Sequence, residues 1–257
     1  MNKMGILHFD FMSDKLGYQT NIYVTLPECM ERGEAPKGIL YLLHGGGGNG
    51  LDWIRNTAIE RYAQPYGLAV IMPEVDGSCF YADMKHGYPY FQYLTEEVPA
   101  AMEGMLPLLK GVGKRYVAGL SMGGYGAFKW AFNKPEYFTA AANLSGVSFV
   151  VDLMADESHG LTGKESLIEC NWGSLEELRG SDSDSKEWID RAAAQNLKLP
   201  KLFAGMGTED FSYDFSTEYL AYAAEKGVEI HYEEMPGGHD WPVWDTMIQR
   251  FMAWATV

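Results

Sequence analysis

Cysteine is scarce in this chain, and positive charge is scarcer than negative. The three cysteines, Cys29, Cys79 and Cys170, lie far apart among 257 residues. An odd, scattered set fits no disulfide framework and reads as reduced thiols of a cytoplasmic protein, each behaving as a small buried apolar side chain. Lysine and arginine number 20 against 35 aspartates and glutamates, a formal net charge of −15. That balance argues against nucleic acid and an anionic membrane surface as partners, and mildly against a strongly anionic substrate. No run reaches the roughly 18 uninterrupted apolar residues of a membrane span. The opening MNKMGILHFDFMSDKLG meets Asp10 and Asp14 before any apolar core, so no signal peptide is read. Histidines and acids show no His-x-x-x-His or comparable cluster, and neither a metal nor a cofactor is expected.

What the chain has is an ordinary globular composition, 47% hydrophobic and 21% charged, in a length suited to one α/β domain. Apolar runs alternate with helical patterns, which predicts a mostly parallel twisted sheet with crossover helices. Residues 16–28 alternate at period two as an early antiparallel strand. Continuous apolar runs at 37–45, 67–75, 114–120, 139–147, 200–208 and 227–237 read as strands, most of them buried on both faces. Helices are predicted over 95–110, 123–135 and 216–227. Residues 148–196 break the rhythm: they are polar, carry a low-complexity Ser/Asp patch at 181–185 and show no strand pattern. Lying between two strands, they read as a mostly helical cap inserted into a single domain over 1–257, since about 50 residues rarely bury enough surface alone.

GLSMG at 119–123 matches Gly-x-Ser-x-Gly directly after a strand and before a helical segment. A chain rich in glycine yields that pattern by chance often enough that the motif alone is weak; the strand, turn and helix around it lift it. The turn strains Ser121 so that its hydroxyl is exposed, and the following helix lends its N-terminal dipole to developing negative charge. These are the marks of a nucleophile in an α/β-hydrolase fold. Ser145 also ends a strand, but lacks the N-terminal glycine and reads as a backbone-capping serine.

Such a nucleophile needs a base, and the base an orienting acid, in the order serine, acid, histidine. Of the histidines, His239 lies in the glycine-rich PGGHDW loop after the last strand, level with Ser121. His231 alternates within a strand, His8 lies before the elbow, and His159 is in the cap. The acid should leave the strand at 201–208, where Asp210 and Glu209 both stand; Asp214 is a weaker candidate, and Asp240 and Asp245 violate the order. The tetrahedral intermediate needs backbone N–H donors, each worth about 3–4 kcal/mol in related chemistry. Met122 supplies one, and LLHGGGGNG at 42–50 the other through Gly46, with Gly45 as the alternative, while His44 braces the loop. No Lys-Ser/Thr follows those glycines, so a phosphate cradle is not supported.

With these pieces in place, the chain resembles the esterase D-like putative esterases, particularly bacterial tributyrin esterases. Feruloyl and acetyl-xylan esterases and S-formylglutathione hydrolase are neighbouring members. The resemblance rests on YLLHGGGGN (41–49) with Trp53, IERY (59–62), GLAVIMPEVDGSCFYADM (67–84), YFQYLTEEVP (90–99), AGLSMGGYGA (118–127), GTEDF (207–211) and GGHDW (237–241). It implies Asp210 as the acid, Gly46 and Met122 as oxyanion donors, and a loop at 76–93 lining a pocket with Phe80 and Tyr81 as walls. Gly45, Trp53 and Trp241 complete the substrate-contacting residues it suggests, with bracing as the alternative for the tryptophans. Family members often carry a bulkier residue where Gly46 stands, so the wall here is more open. The implied activity is hydrolysis of short-chain acyl esters, with carbohydrate-linked esters or a glutathione thioester as alternatives. The partner is a small-molecule ester; a homo-oligomer stays open.

Overall fold

The computed structural model describes residues 5–146, 148–156 and 163–257. Its sheet has eight strands: β1 (Gly5–Met12), β2 (Gln19–Leu26), β3 (Gly38–Leu43), β4 (Leu68–Pro73), β5 (Arg115–Leu120), β6 (Ala140–Leu144), β7 (Lys201–Gly207) and β8 (His231–Met235). They lie in the order β1-β2-β4-β3-β5-β6-β7-β8. β2 runs antiparallel to both β1 and β4, and from β4 to β8 every neighbouring pair is parallel. The expected architecture is therefore present, with the seven strands read from the sequence shortened at one or both ends and β1 lying beyond them at the edge of the sheet.

β3 and β4 are buried along their whole length. Successive side chains of a strand point to opposite faces, so Ile39, Tyr41 and Leu43 join one core while Leu40 and Leu42 join the other. Among the helices, α1 (Asp52–Asn56) follows β3, α2 (Val98–Met105) precedes β5, and α3 (Met122–Asn133) leaves β5. α3 is buried from Met122 to Phe132 against the first face. The last helix, labelled α9 (Trp241–Ala255), covers the second face with Val243, Trp244, Met247, Ile248, Phe251 and Met252, an i, i+3, i+4 stripe.

The helix predicted over 95–110 begins earlier, at Tyr90, passes through a π-helical turn at Tyr93–Glu97, and ends at Met105. Leu106 precedes Pro107 and is pushed out of the helical region, with φ −123° and ψ 82°.

Between β6 and β7 the described residues form four helices and no strand: α4 (Val150–Ala155), α5 (Lys164–Trp172), α6 (Leu175–Leu178) and α7 (Ser185–Gln195). His159 lies outside the described residues. Within the Ser/Asp patch Ser183, Asp184 and Ser185 are buried, while Asp182 is exposed. Ser183 accepts a hydrogen bond at its carbonyl from Tyr125 and at its hydroxyl from Lys129, both on α3. Asp184 caps α7 and accepts from the N–H of Lys186 and of Gly180. Ser185 donates to the Ser148 carbonyl and accepts from the Val150 N–H. Small polar side chains are chosen there to satisfy buried backbone. α8 (Tyr213–Glu225) follows β7.

From β3 the chain steps outward to β4, then returns past β3 to build β5 through β8 on the other side. The loops leaving β3 and β5 diverge at the carboxyl edge, where such sheets open a crevice.

Candidate active site

The register pairs Leu43 of β3 with Gly119 of β5, so two residues on, Gly45 and Ser121 stand side by side. A Cβ built on Gly45 would lie 3.3 Å from the Ser121 Cβ. Ser121 is held at φ 52° and ψ −123°, a conformation strained for any residue but glycine. Its N–H donates to the Leu144 carbonyl (2.8 Å), and its carbonyl accepts from the Tyr125 N–H (3.1 Å). The elbow closes because its flanking glycines have no side chains. A Cβ on Gly119 would sit 2.2 Å from the Gly123 carbonyl oxygen, and one on Gly123 would sit 2.5 Å from that of His44. Met122 opens α3, so its N–H has no acceptor in the helix ladder.

His239, in the loop between β8 and α9, lies with Nε2 2.9 Å from the Ser121 hydroxyl oxygen and Nδ1 2.9 Å from Asp210 Oδ2. The partners set the tautomer: Nδ1–H donates to the carboxylate and the serine hydroxyl donates to Nε2. Asp210 Oδ1 is occupied by two donors from Ser212, its N–H at 2.9 Å and its hydroxyl at 2.8 Å. Burial pushes the Asp210 carboxyl up, but the hydrogen bond and charge of His239, with the Ser212 donors, outweigh it and hold it below the usual aspartate range.

The chain matches the model of a family described as putative esterase over residues 13–254. The chain belongs to the putative esterase family. An acetyl esterase of Caldicellulosiruptor saccharolyticus is 27% identical over 98% of each chain. The structure of fluorophosphonate-binding serine hydrolase F of Staphylococcus aureus is 32% identical over 99% of both chains, with a TM-score of 0.88. An S-formylglutathione hydrolase structure from the same organism is 33% identical over 99% of this chain and 100% of that one, with a TM-score of 0.86. The fold is that of an α/β-hydrolase, and the protein is a carboxylic ester hydrolase of the serine type.

In this esterase three consecutive carbonyls, from the last residue of β3 onward, are each tied down by a side chain. Trp53 Nε1–H donates to Leu43 (3.0 Å), Tyr81 O–H to His44 (2.9 Å), and His44 Nδ1–H to Gly45 (2.9 Å). His44 Nε2 accepts from the Val75 N–H at 3.2 Å, and burial lowers its pKa, so the ring stays neutral as a brace. Gly47 N–H donates to the Gly77 carbonyl, binding this loop to the one at 76–93. Gly46 between them is exposed, and Gly45 is buried.

Trp53 and Tyr81 are fully buried. Neither ring is accessible as a pocket wall, contrary to the expectation for Tyr81 and to the substrate-contacting alternative for Trp53, and both spend their polar groups on carbonyls of the loop. Phe80 is 7% exposed and packs edge-on against Tyr125 and Trp172. Trp241 is half-buried, edge-on to Trp53 and Trp244. The other candidates are engaged with other partners. His231 stacks on Trp254, His8 stacks on Tyr23, Asp240 caps α9, and Asp245 accepts from Tyr62. Ser145, expected to cap backbone, has a buried hydroxyl with no partner among the described residues. Ser212 was missed, although Asp-Phe-Ser carries the signal of an Asx turn, a side-chain oxygen accepting from the N–H two residues on. Among the described residues no group of three or more His, Cys, Asp or Glu could hold a metal ion, and no helix is long and apolar enough to cross a membrane.

Proposed function

We propose that Ser121, His239 and Asp210 are the catalytic triad of a carboxylesterase hydrolysing short-chain acyl esters of the tributyrin type through an acyl-enzyme. The observation that carries this reading is the unbroken line from Asp210 through His239 to Ser121, with 2.9 Å at each step. His239 takes the hydroxyl proton as Ser121 attacks the ester carbonyl, and Asp210 stabilises the imidazolium. The N–H groups of Gly46 and Met122 receive the oxyanion; the three tied carbonyls before Gly46 support that role, since a backbone anchored through its oxygens is preorganised. His239 then protonates the departing alcohol, and a water it activates releases the acid. The helices α4 to α7 are read as a cap whose seat is α3.

Ser121→Ala should abolish hydrolysis of p-nitrophenyl acetate and butyrate, and labelling by a fluorophosphonate, while leaving the far-UV circular dichroism unchanged. Turnover retained above one per cent or so of wild type would remove Ser121 from the role. The likeness to an S-formylglutathione hydrolase along nearly all of both chains supports a second reading, a thioesterase using the same triad. Parallel assays of S-formylglutathione and the p-nitrophenyl esters separate the two by kcat/KM.

A further inference from the structure

Large hydrophobic side chains left in water among the described residues are Ile6, Met12, Tyr88, Met105, Phe211 and Val257. Phe211 differs from the rest in its neighbour: its ring centroid lies 4.6 Å from that of His239, tilted by 53°, while 56% of the residue is exposed. The ring is not there for want of order in its backbone. Its flanking residues, Asp210 and Ser212, are each 4% exposed. Asp210 N–H donates to the Gly207 carbonyl (3.2 Å) and Tyr213 N–H to the Asp210 carbonyl (3.0 Å). Ser212 N–H donates to Asp210 Oδ1 at 2.9 Å. The same turn that sends Asp210 inward to Nδ1 therefore sends the next side chain outward across the imidazole. Trp244 packs edge-on to the imidazole at 5.0 Å and is buried.

We propose that Phe211 determines specificity for the alcohol half of the ester, binding aryl or larger alkyl leaving groups against its exposed ring. This rests on the triad proposed above. At the tetrahedral centre the oxyanion points to the N–H groups of Gly46 and Met122, and the leaving oxygen must point to His239 Nε2, which delivers its proton. The acyl chain takes the remaining direction. A ring lying against the imidazole is beside the leaving group. A methyl or ethyl alcohol is too short to cover it, whereas a naphthyl group spans it. Once the alcohol has departed, water attacks the same acyl-enzyme, so Phe211 has no part in deacylation.

The test compares wild type, Phe211→Ala and Phe211→Leu on ethyl, phenyl and 1-naphthyl acetate, and on p-nitrophenyl acetate against butyrate. In Phe211→Ala, kcat/KM for 1-naphthyl acetate should fall about tenfold relative to ethyl acetate, the scale expected when roughly 50 Å² of apolar contact is lost. The acetate-to-butyrate ratio and the deacylation rate constant from burst kinetics should not move, and Phe211→Leu should keep most of the preference. An equal fall for every alcohol would overturn the proposal and make Phe211 a support for His239. A changed acetate-to-butyrate ratio would overturn it by putting the ring on the acyl side. Activity surviving in Ser121→Ala would instead remove the triad reading itself, a separate result.

Discussion

Asp210 and Glu209 are chemically equivalent candidates one residue apart, and the choice between them is made by a turn. The Asp210 N–H reaches back to the Gly207 carbonyl and the Glu209 N–H crosses to Gly237, which buries residue 210 and leaves 209 in solvent. Strand-edge spacing shows that an acid stands here, but not which side chain the turn directs inward; the family resemblance was needed for that. Both carboxylate oxygens are then used, one by His239 and one by Ser212. Asp210→Asn keeps the shape but disfavours the Nδ1–H tautomer, and kcat should fall roughly 10³–10⁴-fold, as in the Ser-His-Asp template. Ser212→Ala keeps the backbone donor and should cost only severalfold, which steady-state kinetics on p-nitrophenyl acetate would resolve. The sign of the stability effect also follows. A carboxylate held below its unfolded value stabilises the fold above that value and loses the contribution as pH falls through its folded pKa. The advantage of wild type over Asp210→Asn in urea midpoint should be full at pH 7 and shrink below about pH 4; an advantage that grows on acidification would contradict the direction assigned to Asp210.

At the scale of elements, strands were the most legible part of the chain, because β3, β4 and β5 are buried on both faces and their apolar runs are continuous. Helix ends were less so: the π-turn at Tyr93–Glu97 leaves no periodic mark. Composition leaves the setting of the patch at 181–185 open, since serine and aspartate are as suited to buried turns as to water, and only its contacts with α3 decide. One of those contacts is Lys129, 1% exposed, with Nζ 2.8 Å from the Ser183 hydroxyl, 3.7 Å from Asp182 and 4.5 Å from the Phe91 ring centre. Burial lowers its pKa despite Asp182 and Asp83. The unfolded chain, with an ordinary lysine near 10.4, then holds more protons than the folded one between the two values, and stability rises with pH across that interval. Wild type should therefore gain urea midpoint relative to Lys129→Met as the pH is raised toward the ordinary lysine value of about 10.4, with methionine filling the stem's volume. Parallel curves for the two proteins would mean that the buried ammonium carries no desolvation penalty.

Over the whole molecule the excess of 35 acids over 20 bases sets a field that every approaching substrate crosses. The Debye length shortens from roughly 30 Å at 0.01 M salt to about 8 Å at 0.15 M, so most of the molecule acts on an anion at low salt and only nearby groups do at high salt. Around the candidate site, Glu209 and Asp240 are exposed, and neither loop that frames Ser121 carries a lysine or arginine between residues 44–50 or 236–241. A neutral ester should be indifferent to this field, whereas an ester bearing a carboxylate should be repelled by it. The expected result is a kcat/KM for p-nitrophenyl acetate constant within about twofold from 0.01 to 0.15 M salt, and a severalfold rise for the p-nitrophenyl half-ester of succinate. The same measurement bears on the two substrate readings. S-formylglutathione carries net negative charge, so a thioesterase of this surface would need a local cationic seat able to reverse the general repulsion. If the anionic ester instead slows as salt is added, such a seat exists and the thioester reading gains; if it quickens, the surface favours neutral esters.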